Sequence, residues 1–180
     1  MKSLFFYDTK VGKIGICCDE TSVTNLFLPG EQADFAAPAL ETERHRETFR
    51  QLQDYFAGKR EQFTLPLAPN GTDFQKRVWK SLLSIPYGET RSYKEIAQWA
   101  GCPRGCRAVG MANNRNPIPI LIPCHRVIGA NGALVGYGGG LGLKKMLLEL
   151  EQNHIRNTNK EGDLEFSDGY TCNDSNPGTV

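Results

Sequence analysis

At residues 116–129 the chain reads NPIPILIPCHRVIG, an apolar run with three prolines that leads into a cysteine–histidine pair. Each proline fixes its own φ angle and biases the preceding residue toward extended geometry. We therefore predict no helix here, but a stiff, largely buried, extended connection that carries Cys124 and His125. A thiol held beside an imidazole suggests a thiolate nucleophile. Since adjacent extended residues point to opposite sides, His125 can activate Cys124 only through a bend or an intervening water.

Length and composition are those of a soluble globular protein with one domain or two small ones. The chain has 180 residues, of which 39% are hydrophobic and 23% charged. It contains no run of about 18 apolar residues, and its first residues turn polar too early for a signal peptide. We therefore expect no membrane span and no secretion. The six cysteines form no regular disulfide framework, which indicates a reducing compartment.

Basic charge is concentrated in the middle of the chain, although the net charge is only +1. Residues 67–126 carry nine basic and three acidic side chains, whereas the segments on either side are net acidic. Such a distribution is consistent with a phosphate-facing surface. The alternative is a solvated face of ordinary helices, and charge alone does not separate the two.

The N-terminal third alternates between aromatic or β-branched residues and turn residues, which predicts an antiparallel meander followed by one amphipathic helix. The expected elements are strands at 3–7, 12–18 and 22–28, a loop at 29–40 and a helix at 41–58. His45 on this helix is expected to be a surface residue. Cys17 and Cys18 end a strand, and with no histidine nearby we expect two strand residues rather than a metal site.

Helical patterns dominate after a boundary that we place at residues 66–71. The predicted helices are 72–83, Ser92 to about Ala100, and 104–114. Thr72 with Gln75, and Ser92 with Glu95, have capping-box spacing, in which each side chain satisfies a backbone donor of the other. Two short helices around a glycine-containing turn form a helix-turn-helix pattern, although such pairs also occur in proteins that do not bind DNA.

The helix at 104–114 combines a long cation with small side chains. Arg107 is able to probe between stacked bases, and the small residues at 108, 110 and 112 allow close approach to a partner surface. The alternative is close helix–helix packing against those same small residues.

The C-terminal third contains a glycine-rich loop and one more helix. The loop GYGGG, residues 136–140, has Tyr137 as its only large side chain, and no Lys-Ser/Thr pair follows that would make it a phosphate loop. A helix is predicted at 141–154, with Glu151 in its last turns. If Glu151 is buried or half-buried, it is able to orient His125 and stabilise its charge; the alternative is an ordinary surface carboxylate. Residues 157–180 lack apolar periodicity and are predicted to be a disordered tail.

The motif PCHRV at 123–127, preceded by NP at 116–117 and followed by GYGGG, resembles the O6-alkylguanine-DNA alkyltransferases. These proteins are also called methylated-DNA–protein-cysteine methyltransferases. The resemblance covers about residues 70–155 and, more loosely, the N-terminal part. It implies an α+β fold, with a ribonuclease H-like N-terminal domain at 1–66, made of a small antiparallel sheet and a helix. A helical, winged-helix-like domain with the helix-turn-helix follows at 67–156.

The activity that this resemblance implies is DNA repair by direct, irreversible and stoichiometric alkyl transfer. The alkyl group passes from O6-alkylguanine or O4-alkylthymine in double-stranded DNA to an internal cysteine, after the nucleotide is flipped out of the stack. No cofactor is implied and no metal ligand is assigned, although some members of the family carry a zinc in the N-terminal domain. The protein is expected to act as a monomer. It is expected inside the cell, in the cytoplasm of a bacterium or archaeon or in a eukaryotic nucleus.

The resemblance also implies a role for each catalytic residue. Cys124 is the alkyl acceptor, His125 the water-mediated base, and Glu151 the group that orients His125. Tyr93 is the donor toward guanine N3, and Asn116 braces the active-site turn.

A second set of residues is implied to contact the DNA or the base, with the recognition helix in the minor groove. These residues are Arg107, Ala108, Gly110, Val127, Tyr137 and Gly138. Arg107 fills the stack that the flipped base leaves. Some family members carry serine where this chain has Gly138, so we expect a roomier base pocket that accepts alkyl groups larger than methyl.

Three alternative functions are distinguishable from alkyl transfer. The first is an alkyltransferase-like protein that binds lesions without transfer, but such relatives lack the acceptor cysteine that is present here. The second is a cysteine hydrolase that uses Cys124 and His125, which requires turnover without dependence on Arg107. The third is a helix-turn-helix regulator, which requires sequence-specific binding.

Overall fold

A three-stranded antiparallel sheet and one helix make up the N-terminal part of the chain. The computed structural model describes residues 1–165. The strands are β1 (Ser3–Thr9), β2 (Gly12–Cys18) and β3 (Val23–Phe27), in the order β1-β2-β3, and helix α1 (Glu43–Phe56) packs on β1 and β2. The predicted meander, the loop at 29–40 and the amphipathic helix are confirmed.

The prediction for His45 was wrong, because this side chain is fully buried. Its Nδ1 accepts a hydrogen bond of 3.1 Å from the backbone N–H of Thr42, and its Nε2 lies 3.2 Å from the carbonyl oxygen of Ser3. The imidazole therefore caps its own helix and joins that helix to β1, which compensates for its burial.

Four helices follow, and three of them contact one another. They are α2 (Asp73–Leu82), α3 (Tyr93–Trp99), α4 (Cys106–Asn114) and α5 (Leu141–Glu165); α2, α3 and α4 pack together. Both predicted capping boxes are present, between Thr72 and Gln75 and between Ser92 and Glu95. The predicted helix-turn-helix corresponds to α3 and α4. The expected α+β class is confirmed.

The proline-containing stretch is more tightly turned than the predicted extended connection. Ile120 adopts a positive φ of 72°, and Cys124–Arg126 form a 3-10 turn. The turn is possible because the last proline lies before it, where it removes no hydrogen bond that the turn needs. Directly after the turn, β5 (Val127–Ile128) pairs in parallel with β4 (Arg91–Ser92), a pairing that sequence periodicity did not predict.

Buried side chains from both halves form one continuous core. The backbone N–H of Leu26 in β3 donates to the carbonyl oxygen of Pro117 at 2.8 Å, so the N-terminal sheet is bonded directly to the stretch that carries the cysteine. The proposed domain boundary at residue 66 stays a prediction. Within residues 1–165, no helix is both long and apolar enough to cross a membrane.

The predicted disordered tail begins too early. Helix α5 continues through residues 157–165 instead of ending near 154. Extending an existing helix costs little, because each added residue gains one hydrogen bond without a new nucleation step, so an apolar face is not required. The remaining residues, 166–180, lie outside the described part of the chain.

Candidate active site

The 3-10 turn separates the side chains of the cysteine and the histidine. Successive residues of such a turn are rotated by about 120°, so neighbours point in different directions. Asn116 braces the segment that leads into the turn: its Nδ2 donates to the Ile122 carbonyl at 2.8 Å and its Oδ1 accepts from the Ile118 N–H at 3.0 Å. Asn113 Nδ2 also donates to the carbonyl of Cys124, at 3.3 Å. The bend that His125 requires is therefore built into the backbone.

Cys124 is nearly inaccessible, with 4% of its surface exposed. Burial raises the pKa of its thiol to about 11, although a hydrogen bond from Asn116 and the charge of Lys144 act in the opposite direction. At neutral pH the thiol therefore holds its proton, and a base must accept that proton before the sulfur can act as a nucleophile.

His125 is fully buried and contacts Glu151 rather than the surface. Its Nε2 lies 2.8 Å from Oε1 of Glu151, whereas its Nδ1 has no hydrogen-bond partner among the described residues. Burial lowers the pKa of the imidazole, which favours the neutral form. Because the carboxylate oxygen accepts a hydrogen from Nε2, Nδ1 carries the lone pair and is the nitrogen that is available to accept a proton.

Glu151 accepts hydrogen bonds from four other groups in the centre of the molecule. Besides His125, these are Nε and Nη2 of Arg126 at 3.0 Å each, the N–H of Gly88 at 3.0 Å, and the hydroxyl of Tyr55 at 2.7 Å. Burial opposes ionisation, but the bonds and charges of His125 and Arg126 outweigh it and lower the pKa of Glu151 to about 2. The carboxylate is therefore ionised at every physiological pH.

The role of Arg126 was not predicted. Its Nη1 donates to the Ile85 carbonyl at 2.8 Å, and its guanidinium lies 5.6 Å from the ring centroid of Tyr87. The sequence did contain an indication of this role, because an arginine within a buried apolar stretch needs a carboxylate partner. The sequence did not indicate which carboxylate that would be.

Lys144 was also missed, because a lysine on a helix is usually solvated. Here it is fully buried, and its Nζ donates to the carbonyls of Val127 at 2.6 Å and of Val135 at 2.9 Å. Burial lowers its pKa, whereas the charge of a Cys124 thiolate acts to raise it. A buried cation therefore lies near the thiol and holds the loop that follows it.

The remaining predicted base-pocket residues lie around this loop. Tyr93 donates its hydroxyl to the Val135 carbonyl at 3.1 Å, and its ring lies against Gly110 of α4. The hydroxyl of Tyr137 is buried and has no partner among the described residues. A Cβ placed on Gly138 would lie 3.2 Å from Oε1 of Glu31, in the N-terminal loop.

Helix α4 has one exposed face, which carries both a cation and apolar side chains, and one buried face. Arg107 and Ala108 are exposed, as expected for a contacting surface, and Met111 is 55% exposed between them and the helix end. Ala112, in contrast, is buried, and its carbonyl accepts a 2.9 Å hydrogen bond from Trp79 Nε1. The expectation that the residue at 112 meets a partner surface was wrong, because the helical period turns it toward α2.

Two family models match the chain, one in each half. Residues 5–69 match the ribonuclease-like domain of 6-O-methylguanine DNA methyltransferase, and residues 73–153 match its DNA-binding domain. A methylated-DNA–protein-cysteine methyltransferase of Methanosarcina barkeri is 54% identical over 157 residues, which cover 84% of this chain and 99% of that protein. The chain belongs to the 6-O-methylguanine DNA methyltransferase family.

Other members of the methyltransferase family give the same result. The constitutive methylated-DNA–protein-cysteine methyltransferase of Bacillus subtilis is 48% identical, over 81% of this chain and 92% of its own. The crystal structure of Mycobacterium tuberculosis OGT in complex with DNA matches with a TM-score of 0.80 and 45% identity, covering 84% of this chain and 94% of that one. The structure of the O6-methylguanine methyltransferase of the same organism matches with a TM-score of 0.78.

The sequence comparison with the methyltransferase family had raised the question of an N-terminal zinc. Cys17 and Cys18 are both buried in β2, with a free thiol each. Over residues 1–165 no three cysteine, histidine or acidic side chains converge as a metal site. Among these residues, Cys17 and Cys18 therefore have no third candidate ligand beside them.

Proposed function

We propose that this protein repairs DNA by transferring an alkyl group from O6 of guanine, or O4 of thymine, irreversibly to Cys124. The observation that carries the proposal is the buried thiol beside a buried histidine–carboxylate pair, directly behind the helix-turn-helix. Family membership supports the reaction class, which is alkyl transfer from DNA to a protein cysteine. The roles of the individual residues are those that the family resemblance implies, supported by the contacts of these residues in the structure.

The thiol proton moves first. A water molecule passes the proton from Cys124 to Nδ1 of His125, and Glu151 stabilises the imidazolium through Nε2. The resulting thiolate is stabilised by Asn116 and Lys144, whose hydrogen bond and positive charge both favour the ionised sulfur.

The sulfur then attacks the alkyl carbon in line with the bond to O6. A carbon–sulfur bond forms, the carbon–oxygen bond breaks, and its electron pair stays on the purine as O6 leaves. When the base is bound, the Tyr93 hydroxyl turns from the Val135 carbonyl to donate a hydrogen bond toward guanine N3, which stabilises the negative charge on the leaving base. Burial raises the pKa of Tyr93, which keeps the hydroxyl protonated and able to donate. The thioether is a poor leaving group, so each molecule reacts once.

The lesion must leave the duplex to reach a thiol that is 4% exposed. Helix α4 enters the minor groove, where Ala108 and Gly110 permit close approach and Arg107 fills the vacated stack. Val127, Tyr137 and Gly138 line the pocket for the extruded base. The partner is double-stranded DNA, which the protein binds as a monomer in the compartment that holds the genome.

The test is a stoichiometric reaction with a duplex that contains O6-methylguanine, read by intact mass. One adduct of about 14 Da per protein, located on Cys124 and absent from Cys124→Ala, is the expected result. Catalytic turnover with an ester or amide would favour a hydrolase, and binding of one DNA sequence without an adduct would favour a regulator. Unchanged mass of a folded protein that binds the lesion would show that no transfer occurs.

A further inference from the structure

The N-terminal half contributes one side chain to the buried histidine–carboxylate pair. Tyr55 lies on α1 and is fully buried. Its hydroxyl donates to Oε1 of Glu151 at 2.7 Å and lies 3.4 Å from Nε2 of His125. Tyr55 and Glu151 are 96 residues apart in the sequence. Tyr55 also lies outside the segment that matches the DNA-binding family model.

We infer that Tyr55 is a positioning residue for alkyl transfer, which holds the proton of neutral His125 on Nε2 so that Nδ1 accepts the thiol proton. The inference rests on the proposed function of Cys124 and adds a group from the other half of the chain. Tyr55 touches neither the sulfur nor the base, and it acts through His125 and Glu151.

The direction of each hydrogen bond follows from the charge of the carboxylate. Arg126 pairs with Glu151, so the carboxylate is ionised and can only accept. The single hydroxyl proton of Tyr55 therefore points at Oε1, and the lone pairs of the phenol oxygen remain available to His125. Burial beside this carboxylate raises the pKa of Tyr55 well above its ordinary value, so the hydroxyl stays protonated.

This arrangement disfavours one of the two histidine tautomers. If Nε2 carried the lone pair, it would face lone pairs on both Oε1 and the phenol oxygen, at side chains that are fully buried from bulk solvent, where such repulsion is costly. With the hydrogen on Nε2, both oxygens can accept it. The neutral imidazole is thus held with Nδ1 unprotonated, which is the form that can act as a base toward Cys124.

A purely structural role for Tyr55 makes a different prediction. Its ring packs against three aromatic neighbours, Phe56, Phe63 and Tyr87, with centroids 5.6, 5.3 and 6.1 Å away. Tyr55→Phe keeps that packing and removes only the hydroxyl. A structural role therefore affects stability alone, whereas a positioning role also alters the rate and its dependence on pH.

The matched control is Tyr7→Phe. Tyr7 also lies in the N-terminal half, donates to a glutamate, Glu41, at 2.6 Å, and stacks on an aromatic ring, but it has no contact with the active site. Single-turnover rates of alkyl transfer are measured for wild type and both variants between pH 5.5 and 9. The substrates are duplex O6-methylguanine and the free base O6-benzylguanine.

Tyr55→Phe is expected to slow transfer about tenfold on both substrates, less than the roughly hundredfold or greater loss that follows removal of a general base. Duplex affinity should not change. Without the phenol donor, Glu151 concentrates more negative charge on His125 and favours the imidazolium, so the acidic limb of the rate profile moves to higher pH. Tyr7→Phe should match wild type in rate and profile.

Wild-type rates and an unchanged acidic limb in folded Tyr55→Phe would overturn the inference while leaving the proposed function intact. Failure of wild type to transfer at all would instead refute the function on which it rests. A second measurement needs no variant: nitrogen NMR of the histidine-labelled wild type should show His125 protonated on Nε2. A neutral His125 protonated on Nδ1 would equally overturn the inference.

Discussion

The chain buries cysteines in two regions that differ in what surrounds the sulfur. Cys17 and Cys18 are buried at the end of β2, where the pairing with β3 shifts register, and burial raises the pKa of Cys18 to about 12. In the 3-10 turn, burial likewise raises the pKa of Cys124, to about 11. Both thiols are therefore protonated at neutral pH, so the pKa does not distinguish Cys124, the thiol proposed to react, from Cys18.

The difference lies in the polar groups within reach of each thiol. Asn116 and the cation of Lys144 both lower the pKa of Cys124 against the effect of burial, and Nδ1 of the adjacent His125 has no hydrogen-bond partner among the described residues. The charged neighbours that affect the pKa of Cys18 are Arg44 and Asp19, whose effects oppose each other. In the proposed mechanism, Cys124 becomes a nucleophile because a base accepts its proton when the substrate arrives, rather than through standing ionisation.

The largest expected effect comes from exchanging the thiols themselves. Cys124→Ala should form no adduct with lesion-bearing duplex, because the attacking atom is absent, whereas Cys18→Ala should still react to full stoichiometry. Intact mass after reaction measures both, and circular dichroism establishes that each variant is folded. An adduct on Cys124→Ala would show that a residue other than Cys124 accepts the alkyl group.

Glu151→Gln removes the negative charge beside His125, the base proposed for Cys124. The amide cannot stabilise the imidazolium by charge, so the transfer rate should fall about a hundredfold. Stability should fall by about 3 kcal/mol, since the charge of Arg126 is left buried without its partner. Single-turnover kinetics and urea unfolding measure the two effects.

The control for this variant is Glu41→Gln, at a partly exposed glutamate that pairs with Arg46 near the sheet. It should change stability by less than about 0.5 kcal/mol and leave the rate unaltered. Equal effects of the two variants would mean that the carboxylate beside His125 has no special function.

The pH dependence of unfolding tests the burial of one histidine in each of the two regions. Burial lowers the pKa of both His45, near β1 and β2, and His125. The unfolded chain therefore binds more protons than the folded chain as pH drops below about 6.5, and stability is lost, by at most about 1.4 kcal/mol per pH unit for each histidine.

The carboxyl of Glu151 adds to this loss at lower pH. Its folded pKa of about 2 lies below the ordinary value of 4.5, so its stabilising contribution is present above 4.5 and disappears as pH falls toward 2. Urea unfolding at pH 7.5 and 5.5 tests the histidine part, since His45→Gln and His125→Gln should each reduce the slope. A stability that is flat over this interval would contradict burial of both as neutral groups.

The lesion reaches the sulfur of Cys124 only after the nucleotide is flipped out of the duplex, and substitution of Arg107 tests this step. Arg107→Ala should slow repair of duplex DNA about tenfold, equivalent to about 1.4 kcal/mol of lost stabilisation, while reaction with the free base is unchanged. Arg104→Ala, at an exposed arginine before α4, is the control and should have a smaller effect. Equal losses on duplex and free base would exclude a role in flipping.

The smallest expected effect is at Gly138. Gly138→Ser should change the rate on O6-methylguanine by less than about twofold, because the new side chain adds only one hydroxymethyl group near Glu31. Rates on O6-benzylguanine should fall more if glycine keeps the pocket roomy. Equal or faster reaction of the serine variant with the larger substrate would count against a wider pocket.

Much of the fold could be predicted because its signals are local. The boxes at Thr72 and Ser92 each depend on a partner three residues away, and the meander depends on alternation within single strands. His45 escaped prediction because its partners include β1, 42 residues distant. The β4–β5 pair escaped because two residues are too few for a periodic pattern.

The sequence by itself indicated the candidate nucleophile and its histidine neighbour, and it determined the helix-turn-helix and the bounds of most elements. These rest on residue chemistry and on interactions a few positions apart. Only the tertiary structure decided that Tyr55, Arg126 and Lys144 belong to the same buried site, and that Nδ1 of His125 is the uncommitted nitrogen. These contacts join segments far apart in the chain, so they exist only once the common core has packed and excluded water.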